Sequence, residues 1–229
     1  MVTLDASNFT TRELNRRVRE AIRDDPDQHI TIINPRARHN LAVAINNHSR
    51  VVIKGSVGYF AASQMDGPEV EIEGNAGWAL AENMMNGKVV VSGDAGASVA
   101  ATIRGGEVYV GGDAGARAGI SMKGGQLIVR GNTGFMTGFM MQKGRIIVCG
   151  DVGDAAGDSM YEGEIYVSGE VGSLGSDAKI ESATEDELAA VWSALEQHGI
   201  NERMSFKKIV SEKKLYHYDT LERFEKAVI

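Results

Sequence analysis

The side chains that could do chemistry are few: one cysteine (Cys149), five histidines and three closely spaced aspartates, Asp151, Asp154 and Asp158. A lone cysteine cannot close an internal disulfide, and alone it cannot hold an iron–sulfur cluster or a cysteine-rich zinc site. As a nucleophile it would need a helix N-terminus or a neighbouring histidine to lower its pKa, and the surrounding sequence offers neither. It reads as an exposed or half-buried structural thiol. His29, His39, His48, His198 and His217 include no pair at metal-ligand spacing. His39 and His48 are close enough in sequence to meet, yet solvated loop positions account for them. The three aspartates could supply a carboxylate pair for cleaving a sugar. The units around them are too short for a long groove, so they read as solvated turn acids.

One stretch looks like a phosphate cradle: "GDAGARAG", residues 112–119. Glycine-rich loops leave backbone N–H groups free to meet an anion. But the string nearly recurs as "GDAGASVA" (93–100), "GNTGFMTG" (131–138) and "GDVGDAAG" (150–157). A dinucleotide fingerprint needs a crossover helix after the glycines, and here the next strand comes too soon. No Walker lysine follows. The acid-rich column Ser56, Asn75, Asp94, Asp113, Asn132, Asp151 and Glu170 suggests calcium between coils. Calcium β-rolls use a nine-residue repeat, however, and local Asx hydrogen bonds explain the column more simply.

The repeat has a period of nineteen. Gly55, Gly74, Gly93, Gly112, Gly131, Gly150 and Gly169 keep it, and so do Gly58, Gly77, Gly96, Gly115, Gly134, Gly153 and Gly172. Each unit opens with a short strand such as "VVIKG", "VEIEG" or "LIVRG". Its first column (Val51, Val70, Val89, Val108, Leu127, Ile146, Ile165) and third column (Ile53, Ile72, Val91, Val110, Val129, Val148, Val167) are wholly aliphatic, so both face inward. The second and fourth columns are mixed and face outward. A fifth, from Met65 to Met160, lies a strand's length before the next unit. A sixth is small throughout: Ala62, Ala81, Ala100, Gly119, Gly138, Gly157.

A short strand with one apolar face cannot bury it alone, but stacked coils bury it against one another. Parallel connections default to the right-handed crossover. The expected fold is therefore a right-handed parallel β-helix of about seven coils over residues 51–180, its glycines turning the corners by positive φ or by close approach between coils. Residues 1–50 read as an N-terminal helix and a lead-in coil. Thr10 and Glu13 form a capping box, Leu14, Val18 and Ile22 an apolar stripe, "HITIINP" a strand and "LAVAINN" a degenerate first coil. Residues 181–229 read as a helical extension, with a second box at Thr184 and Glu187 and a stripe of Leu188, Val191, Trp192 and Leu195 ending at Gly199. The tail beyond, with anchors Phe206, Ile209, Val210, Leu215 and Tyr216, is expected to pack on this helix or on a partner.

A net charge of −7 argues against nucleic acid or an anionic membrane as the main partner. The start of the chain has no apolar signal core and no run reaches membrane-spanning length, which points to the cytoplasm. In "GFMTGFMMQ" (134–142), Phe139 shares its column with Ser63, Glu82 and Asp158, Met140 with Gln64, Asn83 and Ser121, and Met136 with Ser98 and Arg117. Met136, Phe139 and Met140 should therefore lie outside the coil as an apolar patch needing a cover. The cover is either the chain's own C-terminal segment or a partner subunit, and a partner is the expectation.

The G-x-x-G-x-x-x-G coils resemble the GXGXG domain found at the C-terminal end of the glutamate synthase large subunit. The same domain occurs in the C subunit of formylmethanofuran dehydrogenase. As a free-standing chain the sequence is similar to the GXGXG subunits of split glutamate-synthase-like enzymes, N-methylglutamate synthase among them. That resemblance implies a β-helix scaffold without catalytic, cofactor or metal residues of its own. It implies two partners, a glutamine-amidotransferase-like subunit and a glutamate-synthase-like subunit carrying FMN and an iron–sulfur cluster. The complex would make N-methylglutamate from methylamine and glutamate. The alternatives are the formylmethanofuran dehydrogenase C subunit and a stand-alone binding module or acid-based carbohydrate enzyme.

Overall fold

The structure, a computed structural model, describes residues 1–25 and 28–213. Nine strands stack in parallel: β1 (Val2–Asp5), β2 (His29–Ile33), β3 (Arg50–Lys54), β4 (Asp66–Ile72), β5 (Asn86–Val91), β6 (Glu107–Val110), β7 (Lys123–Val129), β8 (Lys143–Val148) and β9 (Glu164–Val167). From β3 onward the register is the sequence period: Val51 pairs with Val70, Val70 with Val89, Val89 with Val108. A second ladder of single parallel bridges joins Val57, Ala76, Ala95, Ala114, Thr133, Val152 and Val171. This is a parallel β-solenoid of about seven turns. The two aliphatic columns and the methionine column are fully buried and form one continuous core. Each such side chain contributes roughly 1.5–3 kcal/mol by leaving water.

Both helices start where the sequence signals. α1 (Thr11–Asp24) has its capping box at Thr10 and Glu13, and its stripe of Leu14, Val18 and Ile22 closes the first end of the core. Asn15, on the same buried face, is a fastening the apolar pattern did not reveal. Its Nδ2 donates to the Asn40 carbonyl (2.6 Å), and its Oδ1 accepts the Ala42 amide (3.0 Å). β1 was not expected either; it extends the sheet beyond β2.

α2 (Glu185–Glu196), capped by Thr184 and Glu187, lies on the outer face of the sheet. There the second strand column turns apolar: Tyr109, Ile128, Ile147 and Tyr166 bury against Val191, Ala194 and Leu195. Those outward positions are therefore covered, not wet, over the last four coils. Cys149, in the neighbouring column, is half-buried against the same cluster.

The helical extension expected over residues 181–229 holds one helix, and the segment beyond it contains a strand. After β10 (Ala178–Glu181) and α2, residues Lys207–Ser211 form a further strand, β11, antiparallel to both β9 and β10. Ile209 and Val210 are β-branched, and β9 offers an unpaired edge that a helix could not satisfy. Leu215, Tyr216 and His217 lie outside the described residues.

The positive-φ corner is also elsewhere than expected. Of the fourteen periodic glycines only Gly55 has a left-handed φ (125°). Besides a glycine column at Gly87, Gly106, Gly125, Gly144 and Gly163, the left-handed residues form three columns two residues apart. One is the small column, Ala62 to Gly157; the flanking two run from Phe60 through Met136 to Ala155, and from Gln64 through Met140 to Ser159. The periodic glycines instead sit where coils touch. A Cβ on Gly115 would lie 2.6 Å from the Ala97 nitrogen, and one on Gly134 2.9 Å from the Ala116 nitrogen.

Candidate functional site

The acid-rich column is a hydrogen-bond ladder between coils. The Asp94 amide donates to Asn75 Oδ1 (3.0 Å), Asp113 to Asp94 (2.9 Å), Asn132 to Asp113 (2.7 Å), Asp151 to Asn132 (2.8 Å) and Glu170 to Asp151 (2.8 Å). These side chains serve the next coil rather than their own turn, which corrects the local Asx reading. Asp154 accepts from Ser173 Oγ (3.1 Å) and Asp158 from Ser159 Oγ (2.7 Å). The three aspartates of that coil thus serve separate backbone and hydroxyl partners. Among the described residues no group of three or more His, Cys, Asp or Glu is placed to hold a metal ion. Burial pushes the Cys149 thiol up to about 11, against a smaller pull from Arg130.

Two ionic clusters fasten α2, and sequence reading missed both. At its C-terminal end the His198 ring lies flat on Tyr109, 3.9 Å between centroids and 3° between planes. Its Nε2 meets Glu107 Oε1 at 2.8 Å. Lys88 (3.0 Å) and Gln126 (2.9 Å) hold the same carboxylate. Burial works against that charge, but His198 and Lys88 outweigh it and keep the Glu107 carboxyl at about 2. At the other end Lys208, almost fully buried, contacts Glu187 (2.6 Å), Glu164 (3.1 Å) and Glu181 (3.4 Å). Glu164 also accepts the Tyr166 hydroxyl (3.0 Å). An E-x-Y triplet, Glu107–Tyr109 or Glu164–Tyr166, therefore grips each end of the helix. The repeated triplet was the signal available in the sequence.

His39 and His48 are both exposed. His39 is engaged rather than solvated: its Nδ1 accepts the Tyr59 amide (2.8 Å), and its ring packs on Tyr59 at 4.5 Å between centroids. Tyr59 in turn stacks on Trp78 (5.4 Å, 19°).

Those rings belong to the left-handed corner, where Met136, Phe139 and Met140 also lie. Met136 and Phe139 are half-buried and Met140 is exposed. Phe135, not singled out from the sequence, is more exposed than any of the three, at 47%. At the other end of the same corner Tyr59, Phe60 and Trp78 are exposed, Trp78 at 58%. Between the two groups the column of Tyr59, Trp78 and Phe135 shrinks to Ala97 and Ala116. A groove of about 320 Å³ opens beside the Tyr59–Trp78 group, lined by Phe60, Trp78, Glu82, Ala101 and Ile120 among others.

Fold and surface together define a class: a parallel β-solenoid whose polar ladder is spent on its own coils and whose exposed large hydrophobic residues gather mostly on one corner. The chain belongs to the family defined by the GXGXG motif, whose profile matches residues 37–226. Protein GlxC of Rhizobium meliloti (strain 1021) is 40% identical to it over 70 residues, a stretch spanning 31% of either chain. A chain of the formyltransferase/hydrolase complex (FhcABCD) from Methylorubrum extorquens, crystallised with methylofuran, shares the fold. It superposes with a TM-score of 0.53 at 23% identity over 66% of this chain and 67% of its own. Among the described residues no helix is long and apolar enough to cross a membrane.

Proposed function

We propose that this chain is the scaffold subunit of a glutamate-synthase-like complex, and within that class of N-methylglutamate synthase. The family match across residues 37–226 carries the reading. In this reading the chain contributes no reacting group. It braces a glutamine-amidotransferase-like subunit against a synthase subunit, and the FMN and the iron–sulfur cluster sit on the latter. The engagement of the acidic column in coil-to-coil hydrogen bonds supports a structural role, since those carboxylates are occupied in holding backbone amides. The compartment that goes with the reading is the cytoplasm.

The fold likeness to a chain of FhcABCD supports a second reading, a subunit of a formyl-transferring complex. One experiment separates the two. The tagged chain is purified from its own cells, its stoichiometric partners are identified by mass spectrometry, and the absorbance of the complex is recorded. A yellow complex containing an amidotransferase-like chain and a flavoprotein, with methylamine-dependent N-methylglutamate formation, is expected. Partners of the formyl-transferring type would replace the first reading by the second. A yellow or catalytically active isolated chain would overturn both.

A further inference from the structure

We propose that the left-handed corner running from Tyr59 to Met140 is the face on which another subunit of the complex docks. That subunit presents an uncharged apolar ridge to the Ala97–Ala116 saddle, a carboxylate opposite Arg117 and cationic groups opposite Asp154 and Asp158. The inference rests on reading the chain as a complex subunit, and it adds the surface and the chemistry of what covers it.

Three observations carry it. The first is clustering. Of the nine large hydrophobic residues exposed among the described ones, Tyr59, Phe60, Trp78, Phe135 and Met140 lie on this one corner. Exposed apolar residues gathered on one face in this way mark an interaction site.

The second is backbone strain. Phe60 (φ 59°), Met136 (φ 60°) and Met140 (φ 53°) are bulky residues in left-handed backbone. Such side chains disfavour that conformation, and where it persists it points to function. Other coils fill the same columns with Ala79, Ser98, Arg117 and Ala155, or with Gln64, Asn83, Thr102, Ser121 and Ser159, none of them a large apolar residue. Neither core packing nor backbone preference explains a phenylalanine and two methionines there.

The third is charge. The four columns that make the face carry only Glu82, Arg117, Asp154 and Asp158 as charged members. Arg117 is exposed and has no ion pair among the described residues. A polyanion or an anionic lipid surface would meet three carboxylates for one guanidinium. A protein surface with an apolar centre and complementary charges at those points meets no such repulsion.

The face is also held in shape before anything binds. The Phe60 amide donates to the Trp78 carbonyl (2.9 Å), Ala79 to Ala97 (2.9 Å), Ser98 to Ala116 (2.8 Å), Arg117 to Phe135 (2.7 Å) and Met136 to Asp154 (2.8 Å). The rings of His39, Tyr59 and Trp78 are stacked on that frame. Little order is then lost on docking. A two-fold pairing with a second copy that keeps the two coil stacks aligned would set Trp78 and Phe135 ends against one another and leave the Ala97–Ala116 saddle empty. The occupant is therefore a different chain.

The test uses the tagged full-length chain in its own cells, with photoreactive p-benzoylphenylalanine placed at position 78, at position 140, or as a control at position 54 on the outer sheet face. A separate variant carries Trp78→Ser, Phe135→Ser and Met140→Ser together. Adducts from 78 and 140, but not from 54, to one subunit that co-purifies stoichiometrically with the parent are expected. The triple variant should keep the parent's circular dichroism and lose co-purification at least tenfold. Adducts joining two copies of this chain overturn the proposal in favour of self-association. Normal assembly of the triple variant, with no adducts from 78 or 140, overturns it while leaving the subunit reading intact. If the parent itself brings down no subunit, both fall, and a sugar polymer retained on the parent but not on the triple variant would then identify the occupant.

Discussion

The amide of Asn132 donates to Oδ1 of Asp113 at 2.7 Å, and that same oxygen occupies the space a Cβ on Gly131 would need. The pairing repeats at Gly93 with Asn75, Gly112 with Asp94, Gly150 with Asn132 and Gly169 with Asp151. In these five coils the glycine is thus explained by the Asx residue of the coil before it, while Gly74 meets Ser56 and Gly55 the Pro35 ring. The acceptor must reach over to cap the next amide, and only a residue without a side chain leaves it room.

That coupling is measurable. Gly131→Ala should cost about 1–3 kcal/mol in the parent, by crowding both Asp113 and the Gly112 backbone. In an Asp113→Ala background the cost should shrink, with an interaction energy of roughly 0.5–3 kcal/mol in a double-mutant cycle read by urea denaturation. Additive costs would show that the glycine answers to the backbone alone.

In the second glycine column Gly115, Gly134 and Gly153 meet only backbone, whereas Gly58, Gly77, Gly96 and Gly172 also meet a side chain of the coil before. Gly115→Val would bring its Cβ to 2.6 Å from the Ala97 nitrogen. It should therefore lower stability by at least about 1–3 kcal/mol, whatever is changed at nearby side chains. A Gly134→Val or Gly115→Val chain that melts with the parent would refute the close-approach account.

Ser49 offers a gain. Its hydroxyl is buried without a hydrogen-bond partner among the described residues. An unpaired buried hydroxyl costs about 1–3 kcal/mol. Ser49→Ala should raise stability by about 1 kcal/mol, measured as a higher urea midpoint with an unchanged slope. A loss of stability would mean that the hydroxyl has a partner in solution.

The fastening of α2 should be acid-sensitive. Burial opposes the charge on Glu107, but His198 and Lys88 outweigh it and hold the carboxyl at about 2 against an ordinary 4.5. Glu187 is also held at about 2, chiefly by its hydrogen bond to Lys208. Both values are depressed on folding, so their contribution is present above about pH 4.5 and fades as pH falls toward 2. Trp192 reports the change, since its indole N–H donates to the Met204 carbonyl at 3.1 Å. In a Trp78→Phe background its fluorescence should shift across that window, and Glu107→Gln should remove part of the pH dependence. An identical acid profile for that variant would disconnect Glu107 from the docking of α2.

Cys149 should be inert in the folded chain. With its thiol pushed up to about 11, only about a thousandth is thiolate at pH 8. A thiol-specific reagent should react slowly with the native protein and rapidly in denaturant. Equal rates in both would mean that the α2 side of the sheet opens freely.

The parts of the fold that repeat were legible, because seven copies of each column average away local ambiguity. Val51 to Ile165 could only be an inward ladder, and their complete burial follows from that. What occurs once was harder to read. Lys207–Ser211 became a strand because β9 had an open edge, a fact about the end of the stack and not about those five residues. Tyr109 and Tyr166 looked like scatter in a mixed outward column until α2 was laid across them. The corner patch was half visible: Met136, Phe139 and Met140 stood out because they are close together in sequence. Tyr59, Phe60 and Trp78 join them only once the coils are stacked and the left-handed columns align.

Identical joints carry a hazard. A solenoid with a uniform rise has no internal mark of position, and a helix laid along it could settle one coil too early or too late with almost the same apolar contacts. α2 is not free to slip in this way. His198 finds a carboxylate at Glu107, but one coil on it would meet Gln126 and one coil back Lys88. The ion pair therefore works as an index pin. It counts coils, and so fixes the distance between the end of the helix and the two ends of the stack.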